Sequence, residues 1–122
     1  MIIGIGTDIC ENERIRKMYK VYNKKFLGKI YLPDEIDYCE SKKDPVPHLA
    51  ARFALKEAFI KAISYGTMQS YKEVGLVGKS GKKDLIVMGD LKIKCNASLV
   101  NNLFFSISHA DNYSTAIVVL EK

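Results

Sequence analysis

The stretch from His48 to Ser64, HLAARFALKEAFIKAIS, constrains this chain more than any other part of it. It contains no glycine or proline, holds few β-branched residues and is dense in Ala and Leu, so it predicts the longest helix of the protein. Gly66 would close that helix as a C-terminal stop. Its apolar residues cover most of the helical circumference, and a helix of that kind has to be wrapped by other elements. The wrapping comes from a chain of 122 residues, one domain's worth, so the expected organisation is a single domain over 1–122.

The rest of the chain supplies the wrapping elements. Met1–Ile5 reads as a short strand ended by a Gly4-Ile5-Gly6 turn. Ile15, Met18, Tyr19, Tyr22 and Phe26 recur at helical spacing and predict a helix over Asn12–Tyr22. Pro33-Asp34-Glu35 reads as a helix start, with that helix running to about Cys39. Ser41–Pro47 is the clearest loop, its two prolines barring helix continuation. Strands are expected at Glu73–Val77, Leu85–Met88, Leu91–Cys95, Leu103–Ser108 and Ser114–Leu120. Turns fall at Gly78–Lys83 and Met88–Asp90, and Ala110–Tyr113 joins the last two strands as a hairpin. Helices first and antiparallel strands after define an α+β class: an N-terminal strand, helices including one long central helix, and an antiparallel sheet.

Composition excludes several classes. With 48% apolar and 27% charged residues the chain is neither disordered nor collagen-like nor a coiled coil. No apolar run approaches the ~18 residues of a membrane span. The N-terminus lacks a basic segment and carries Asp8, which argues against a signal peptide. Cys10, Cys39 and Cys95 are odd in number and lack metal-binding spacing, which suggests reduced thiols in a cytoplasm. The net charge is +5, and Arg14–Lys29 holds seven basic residues and no acid. That run is either a solvated helix face or a docking face for an acidic partner: nucleic acid, anionic membrane, acidic protein or phosphorylated ligand.

Two acids stand where acids are least expected. Asp8 follows an apolar strand, and Glu57 lies within the apolar helix. Each has an ordinary reading, Asp8 as a cap and Glu57 as an i, i+4 partner of Lys61. Together they suggest a site for a hard metal ion. Magnesium takes one or two carboxylates and completes its shell with water and substrate phosphates. Lys56 and Lys61 beside Glu57 could hold phosphate oxygens as point charges. His109 ends the Ser106-Ile107-Ser108-His109 strand, either as a structural histidine or as a donor to phosphate. A triad of Ser108, His109 and Asp111 is not expected, because such close neighbours rarely place nucleophile, base and orienter in line. Gly78–Gly81 followed by Lys82-Lys83 is not a Walker loop, since it lacks the glycine spacing and the final Ser/Thr.

Three segments in order, Gly4-Ile5-Gly6-Thr7-Asp8-Ile9, Arg52-Phe53-Ala54-Leu55-Lys56-Glu57-Ala58-Phe59-Ile60-Lys61-Ala62 and Ser106-Ile107-Ser108-His109, resemble the holo-[acyl-carrier-protein] synthase family, the small class of 4′-phosphopantetheinyl transferases. The resemblance spans essentially the whole chain, and the KEA-x-x-KA helix is its most specific part. Phe26–Glu35 is similar to the family's F-x-x-R-x-[FL]-T-x-x-E stretch, with Lys29 in place of Arg and Leu32 in place of Thr. The family's Gly-Lys-Pro has no counterpart proline in Gly78–Asp84.

The resemblance implies transfer of the phosphopantetheine arm of coenzyme A onto a serine of apo acyl carrier protein, in fatty acid biosynthesis, with release of adenosine 3′,5′-bisphosphate. It implies magnesium held by Asp8 and Glu57, and Lys61 beside the pyrophosphate. Arg52, Gly66 and His109 match coenzyme-binding positions, and Lys42 or Lys43 matches a basic residue at the 3′-phosphate. The basic helix, through Arg14, Lys17 and Lys20, matches the face that docks the carrier protein. The family form is a homotrimer with sites between subunits. The serine proton goes to Glu57 or to a metal-bound water. Two other classes compete. A nucleic-acid module would use the Arg14–Lys29 stripe but leave Asp8 and Glu57 unexplained, and the stripe lacks RNP, KH or zinc patterns. An adaptor for acidic proteins would be inert with coenzyme A and magnesium.

Overall fold

The computed structural model describes residues 1–64, 68–79 and 81–122. The chain runs β1 (Ile2–Glu11), α1 (Asn12–Tyr22), α2 (Lys24–Ile30), α3 (Pro33–Glu40), α4 (Pro45–Ile63), a 3₁₀ turn (Met68–Lys72), β2 (Val74–Lys79), β3 (Lys82–Val87), α5 (Gly89–Ala97), β4 (Asn102–His109) and β5 (Tyr113–Glu121). Strands β1, β5 and β4 form an antiparallel sheet in that order, and β2 and β3 pair as a separate hairpin. The architecture is the α+β one expected.

Helix α4 is the centre, as its composition requires. Leu49, Ala50, Ala54, Leu55, Ala58 and Phe59 are all buried. The sheet covers one side of it, chiefly β1 and β5, and α1, α3 and β2 pack on the others. The helix begins three residues earlier than its composition suggests, at Pro45. Pro45 and Pro47 sit in the first turn, where no backbone N–H is needed, and Asp44 caps that turn by accepting from the Val46 N–H at 3.1 Å. Ser64 closes the helix in the left-handed conformation, φ 54°. Gly66, the expected stop, lies outside the described residues.

Gly4 and Gly6 form no turn. They lie within β1, which runs unbroken to Glu11 on the register Gly6↔Val118 and Asp8↔Ala116. Their bare faces let α4 approach. A Cβ on Gly6 would stand 1.9 Å from the Ala58 carbonyl oxygen, and one on Gly4 would stand 2.1 Å from that of Ala62.

The expected strand at Leu91–Cys95 is instead helix α5. Leu91 and Cys95 are its buried residues, an i, i+4 pair. Its first turn is held by Glu73, whose carboxylate accepts from the N–H groups of Asp90 (3.3 Å) and Leu91 (3.1 Å). Phe26 belongs not to α1 but to α2, separated by Asn23 at φ 40°. Buried Asn12 ties the start of α1 to the β4–β5 turn. Its amide donates to the Ala110 carbonyl at 2.8 Å and accepts from Ser114 Oγ at 2.7 Å.

Candidate active site

The close contact of β1 and α4 brings Lys61 onto Asp8, with Glu57 one turn earlier on the same helix. Alternation along β1 puts Asp8 on the same face as Gly4 and Gly6, toward the helix. Lys61 Nζ donates to the Thr7 carbonyl at 3.0 Å and to Asp8 Oδ1 at 3.1 Å. Lys61 therefore pairs with Asp8 rather than with Glu57. Tyr71, from the 3₁₀ turn, donates its hydroxyl to Glu57 Oε1. The Tyr71 hydroxyl is raised above the usual phenol value by burial, then by the Glu57 hydrogen bond and charge and by Asp8. Both carboxylates thus act on one hydroxyl. A surface cleft of about 470 Å³ opens on the outer face of the sheet, lined by Ile9, Ser106, Ser108, Thr115 and Ile117 together with Asp8 and Lys61; Glu57 does not line it.

The donor set suits a hard divalent cation. Asp8 and Glu57 offer carboxylate oxygens only, and among the described residues no His, Cys, Asp or Glu completes a group of three with them. Two carboxylates with an open remaining shell is the pattern of magnesium at phosphate-transfer sites. Tyr71 occupies one oxygen of Glu57, which leaves the other for a cation.

Lys56 does not reach the cleft, which corrects its assignment as a phosphate ligand. It points to the other side of α4 and is 1% exposed. Its ammonium donates to Glu35 Oε1 (2.6 Å) and to the carbonyls of Tyr71 (2.8 Å) and Val74 (2.6 Å). All three of its protons are therefore used. Burial lowers its pKa, and the Glu35 carboxylate works against that. Glu35 is satisfied in turn by the N–H groups of Leu32 (2.9 Å) and Leu76 (3.1 Å). The pair is an anchor: it holds the backbone of Tyr71, whose hydroxyl meets Glu57.

The remaining expected ligands separate. Arg52, buried in α4, lies over the Tyr38 ring with its Cζ 4.4 Å from the centroid. Lys42 approaches the same ring at 4.5 Å, whereas Lys43 is exposed. His109 packs on His48 with ring centroids 4.9 Å apart. His48 is pushed below the usual imidazole value by burial and then by His109, Arg52, Lys42 and Lys83.

On the opposite side of Tyr71 a groove of about 400 Å³ runs along α1 and α2. Its floor includes Met18, Phe26 and Phe53, and its rim carries Arg14, Lys25 and Lys29. Arg14, Lys25 and Lys29 line this groove, and Lys17 and Lys20 are exposed on α1 outside it. Periodicity along α1 could not find Lys25 and Lys29, because they lie beyond the break at Asn23. Nor could it find Tyr71, which approaches Glu57 only through the connection after α4.

Asp8 of β1 and Glu57 and Lys61 of α4 are the residues on which a family comparison bears. The chain belongs to the 4′-phosphopantetheinyl transferase superfamily, whose profile matches residues 4–118. Holo-[acyl-carrier-protein] synthase of Leptospira biflexa is 43% identical over 124 residues, 99% of this chain and 98% of its own. The crystal structure of the Neisseria meningitidis holo-[acyl-carrier-protein] synthase superposes with a TM-score of 0.87 at 33% identity, covering 100% of both chains. The Helicobacter pylori synthase, in complex with coenzyme A, superposes with a TM-score of 0.79 at 30% identity, covering 96% of this chain and 99% of that one.

Proposed function

We propose that this protein transfers the 4′-phosphopantetheine group of coenzyme A to a serine of apo acyl carrier protein, with magnesium, in fatty acid biosynthesis. The observation that carries the reading is the contact of Lys61 with Asp8 where β1 packs on α4, with Glu57 one turn before Lys61 on the same helix. Asp8 and Glu57 would hold the magnesium, which when bound supplies charge neutralisation at the pyrophosphate. Lys61, fixed by Thr7 and Asp8, adds a positive charge beside the same phosphates. The serine hydroxyl gives its proton to a base, Glu57 or a water, as its oxygen bonds to the phosphorus that carries pantetheine. The bond from that phosphorus to the bridging oxygen breaks, and adenosine 3′,5′-bisphosphate departs with the electron pair. Arg52 and Lys42 give the nucleotide end of the coenzyme a cationic surface, with the His109 ring close by on His48. The protein is placed in the cytoplasm, where Cys10, Cys39 and Cys95 remain the free thiols they are here. No helix among the described residues is long and apolar enough to cross a membrane. Incubation of apo carrier protein with coenzyme A, magnesium and this protein should add the mass of one phosphopantetheine. No mass gain would refute the reading.

The groove along α1 and α2 suits an acidic amphipathic helix of the carrier, with apolar anchors on its floor and carboxylates at Arg14, Lys25 and Lys29. Rim charges of this kind set the association rate and its salt dependence. Arg14→Glu with Lys25→Glu should raise the carrier KM by about tenfold or more, and KM for coenzyme A should move far less. Added salt should slow the wild type more than the variant. An unchanged carrier KM, or an equal defect for coenzyme A, would remove the docking role.

A homotrimer is the assembly this reading calls for, though not because of α4, which its own chain covers. The uncovered surface is the outer face of the sheet. Ile5 pairs with Val119, which pairs with Phe104, and this row points away from α4. Ile5, Ile9 and Phe104 are 60%, 64% and 55% exposed. An apolar face of this extent marks an interface in a soluble protein. It borders the Asp8 cleft, so a neighbouring subunit there would wall the site. Sedimentation equilibrium at micromolar concentration should give three copies, and a stable, active monomer would overturn the assembly.

A further inference from the structure

Consecutive residues of α4 grip Tyr71 at both ends. Lys56 donates to its carbonyl at 2.8 Å, and Glu57 Oε1 accepts from its hydroxyl. Lys56 is itself fixed by Glu35 and by the Val74 carbonyl. Between the two ends the Tyr71 ring tilts against Phe53, with centroids 5.4 Å apart and planes at 44°. Tyr71 is 6% exposed, which leaves the ring little room to swing. Turning the side chain breaks the ring packing, and moving the backbone breaks the buried Lys56 contact. The hydroxyl is therefore held where it stands, and a phenol has a single proton to give.

That proton goes to one oxygen of a carboxylate with few other claims on it. Lys61, on the next turn of α4, reaches Asp8 and Thr7 instead. Among the described residues Tyr71 is the one donor to Glu57. The result is an asymmetric carboxylate, Oε1 engaged and Oε2 open. It presents one oxygen to a cation, where an unengaged carboxylate presents two. Divalent cations differ in which of these they favour. Calcium takes about six to eight oxygens and accepts both from one carboxylate. Magnesium is smaller, demands a near-octahedral shell and keeps several waters, so one oxygen from each carboxylate suits it.

We propose that Tyr71 is a positioning residue that sets the choice of cation: by engaging Oε1 it holds Glu57 as a one-oxygen ligand and so favours magnesium over calcium. The inference rests on the magnesium reading above. It gives the buried Glu35–Lys56 pair a purpose at the site, since that pair fixes the backbone from which the hydroxyl reaches. Tyr71→Phe keeps the ring and its packing and frees Oε1. The carboxylate can then offer both oxygens, which helps calcium far more than magnesium.

The test measures magnesium and calcium affinities in wild type and Tyr71→Phe, each ion displacing manganese, with free manganese read by electron paramagnetic resonance. The ratio of the calcium Kd to the magnesium Kd should fall about tenfold in Tyr71→Phe, the equivalent of one charge-assisted hydrogen bond. In a Glu57→Gln background the same substitution should move the ratio less than twofold, because no carboxylate remains to be freed. A merely structural Tyr71 shifts both affinities together. A ratio within twofold of wild type in Tyr71→Phe, an equal change for both ions, or a wild type that binds no divalent cation overturns the proposal. Infrared difference spectra of magnesium-loaded wild type against Glu57→Gln read the carboxylate with Tyr71 intact. A wide splitting of the two carboxylate stretches, the mark of one-oxygen coordination, upholds the proposal, and the narrow splitting of two-oxygen coordination overturns it. Carrier modification is scored separately. If no phosphopantetheine is transferred while the cation ratio shifts as expected, the proposed function falls and Tyr71 keeps its role. If transfer proceeds and the ratio does not move, the function stands and the role of Tyr71 falls.

Discussion

Asp8→Asn and Glu57→Gln should each lower kcat/KM for carrier-protein modification by about a thousandfold at millimolar magnesium. Both substitutions keep side-chain shape and remove one negative charge. The amide oxygen of either replacement can still accept the hydrogen bond that Asp8 takes from Lys61 or that Glu57 takes from Tyr71. What is lost, on the proposed function, is the charge that would hold a hard cation at the two side chains. The folded state should hardly notice. The Asp8–Lys61 pair is solvated, with the Lys61 side chain 55% exposed, and such pairs contribute about 1 kcal/mol or less. Unfolding temperatures should therefore stay within a few degrees of wild type, while the magnesium concentration for half-maximal rate rises or saturation is lost. Direct titration of manganese into the protein gives a readout independent of turnover. Full activity of either variant at ordinary magnesium would exclude the two-carboxylate site.

The parts of this site that were legible in the sequence are those set by residue type within one element. An acid in an apolar strand and another in an apolar helix are visible because each contradicts its surroundings. The class of fold follows from one long apolar helix and late alternating strands. The errors share a different cause. Gly4-Ile5-Gly6 has turn composition, but what selects glycine is the backbone of α4 on the far side, which no local pattern reports. Leu91–Cys95 alternates well enough for a strand. The Glu73 carboxylate, just after the 3₁₀ turn, caps a helix there, and Leu91 and Cys95 are buried as an i, i+4 pair. Lys56 sits one residue from Glu57, and on a helix such neighbours point about 100° apart. Adjacency in the motif therefore carried Lys56 to the wrong face, where it serves Glu35 and the Tyr71 backbone. Lys42, Arg52 and Lys83 meet on the Tyr38 ring only by packing.

Gly6→Ala should produce the largest loss of stability of any single-methyl change in this chain. The new Cβ would fall 1.9 Å from the Ala58 carbonyl oxygen and 2.8 Å from the Ala62 backbone nitrogen. These are backbone atoms of a buried helix, so no rotamer change relieves the clash. Strand and helix must instead separate by more than an ångström along their whole contact. Overpacking by one methylene costs about 1–3 kcal/mol where side chains can give way, and here they cannot, so about 3 kcal/mol or more is expected. In a domain of this size that lowers Tm by roughly 10 °C or more. The same separation strains the Lys61 contacts with Thr7 and Asp8, which reach across the interface of β1 and α4. Gly6→Ala should therefore lose most of its activity even at temperatures where it stays folded, with magnesium affinity falling alongside. Gly28→Ala is the matched control: it lies inside α2, and its Cβ would meet nothing within 4 Å. Relieved of glycine's unfolded-state entropy, that variant should be unchanged or more stable by about 0.5–1 kcal/mol. Thermal unfolding of the two variants side by side decides the matter. If Gly6→Ala melts within two degrees of wild type, close backbone contact is not what positions the site.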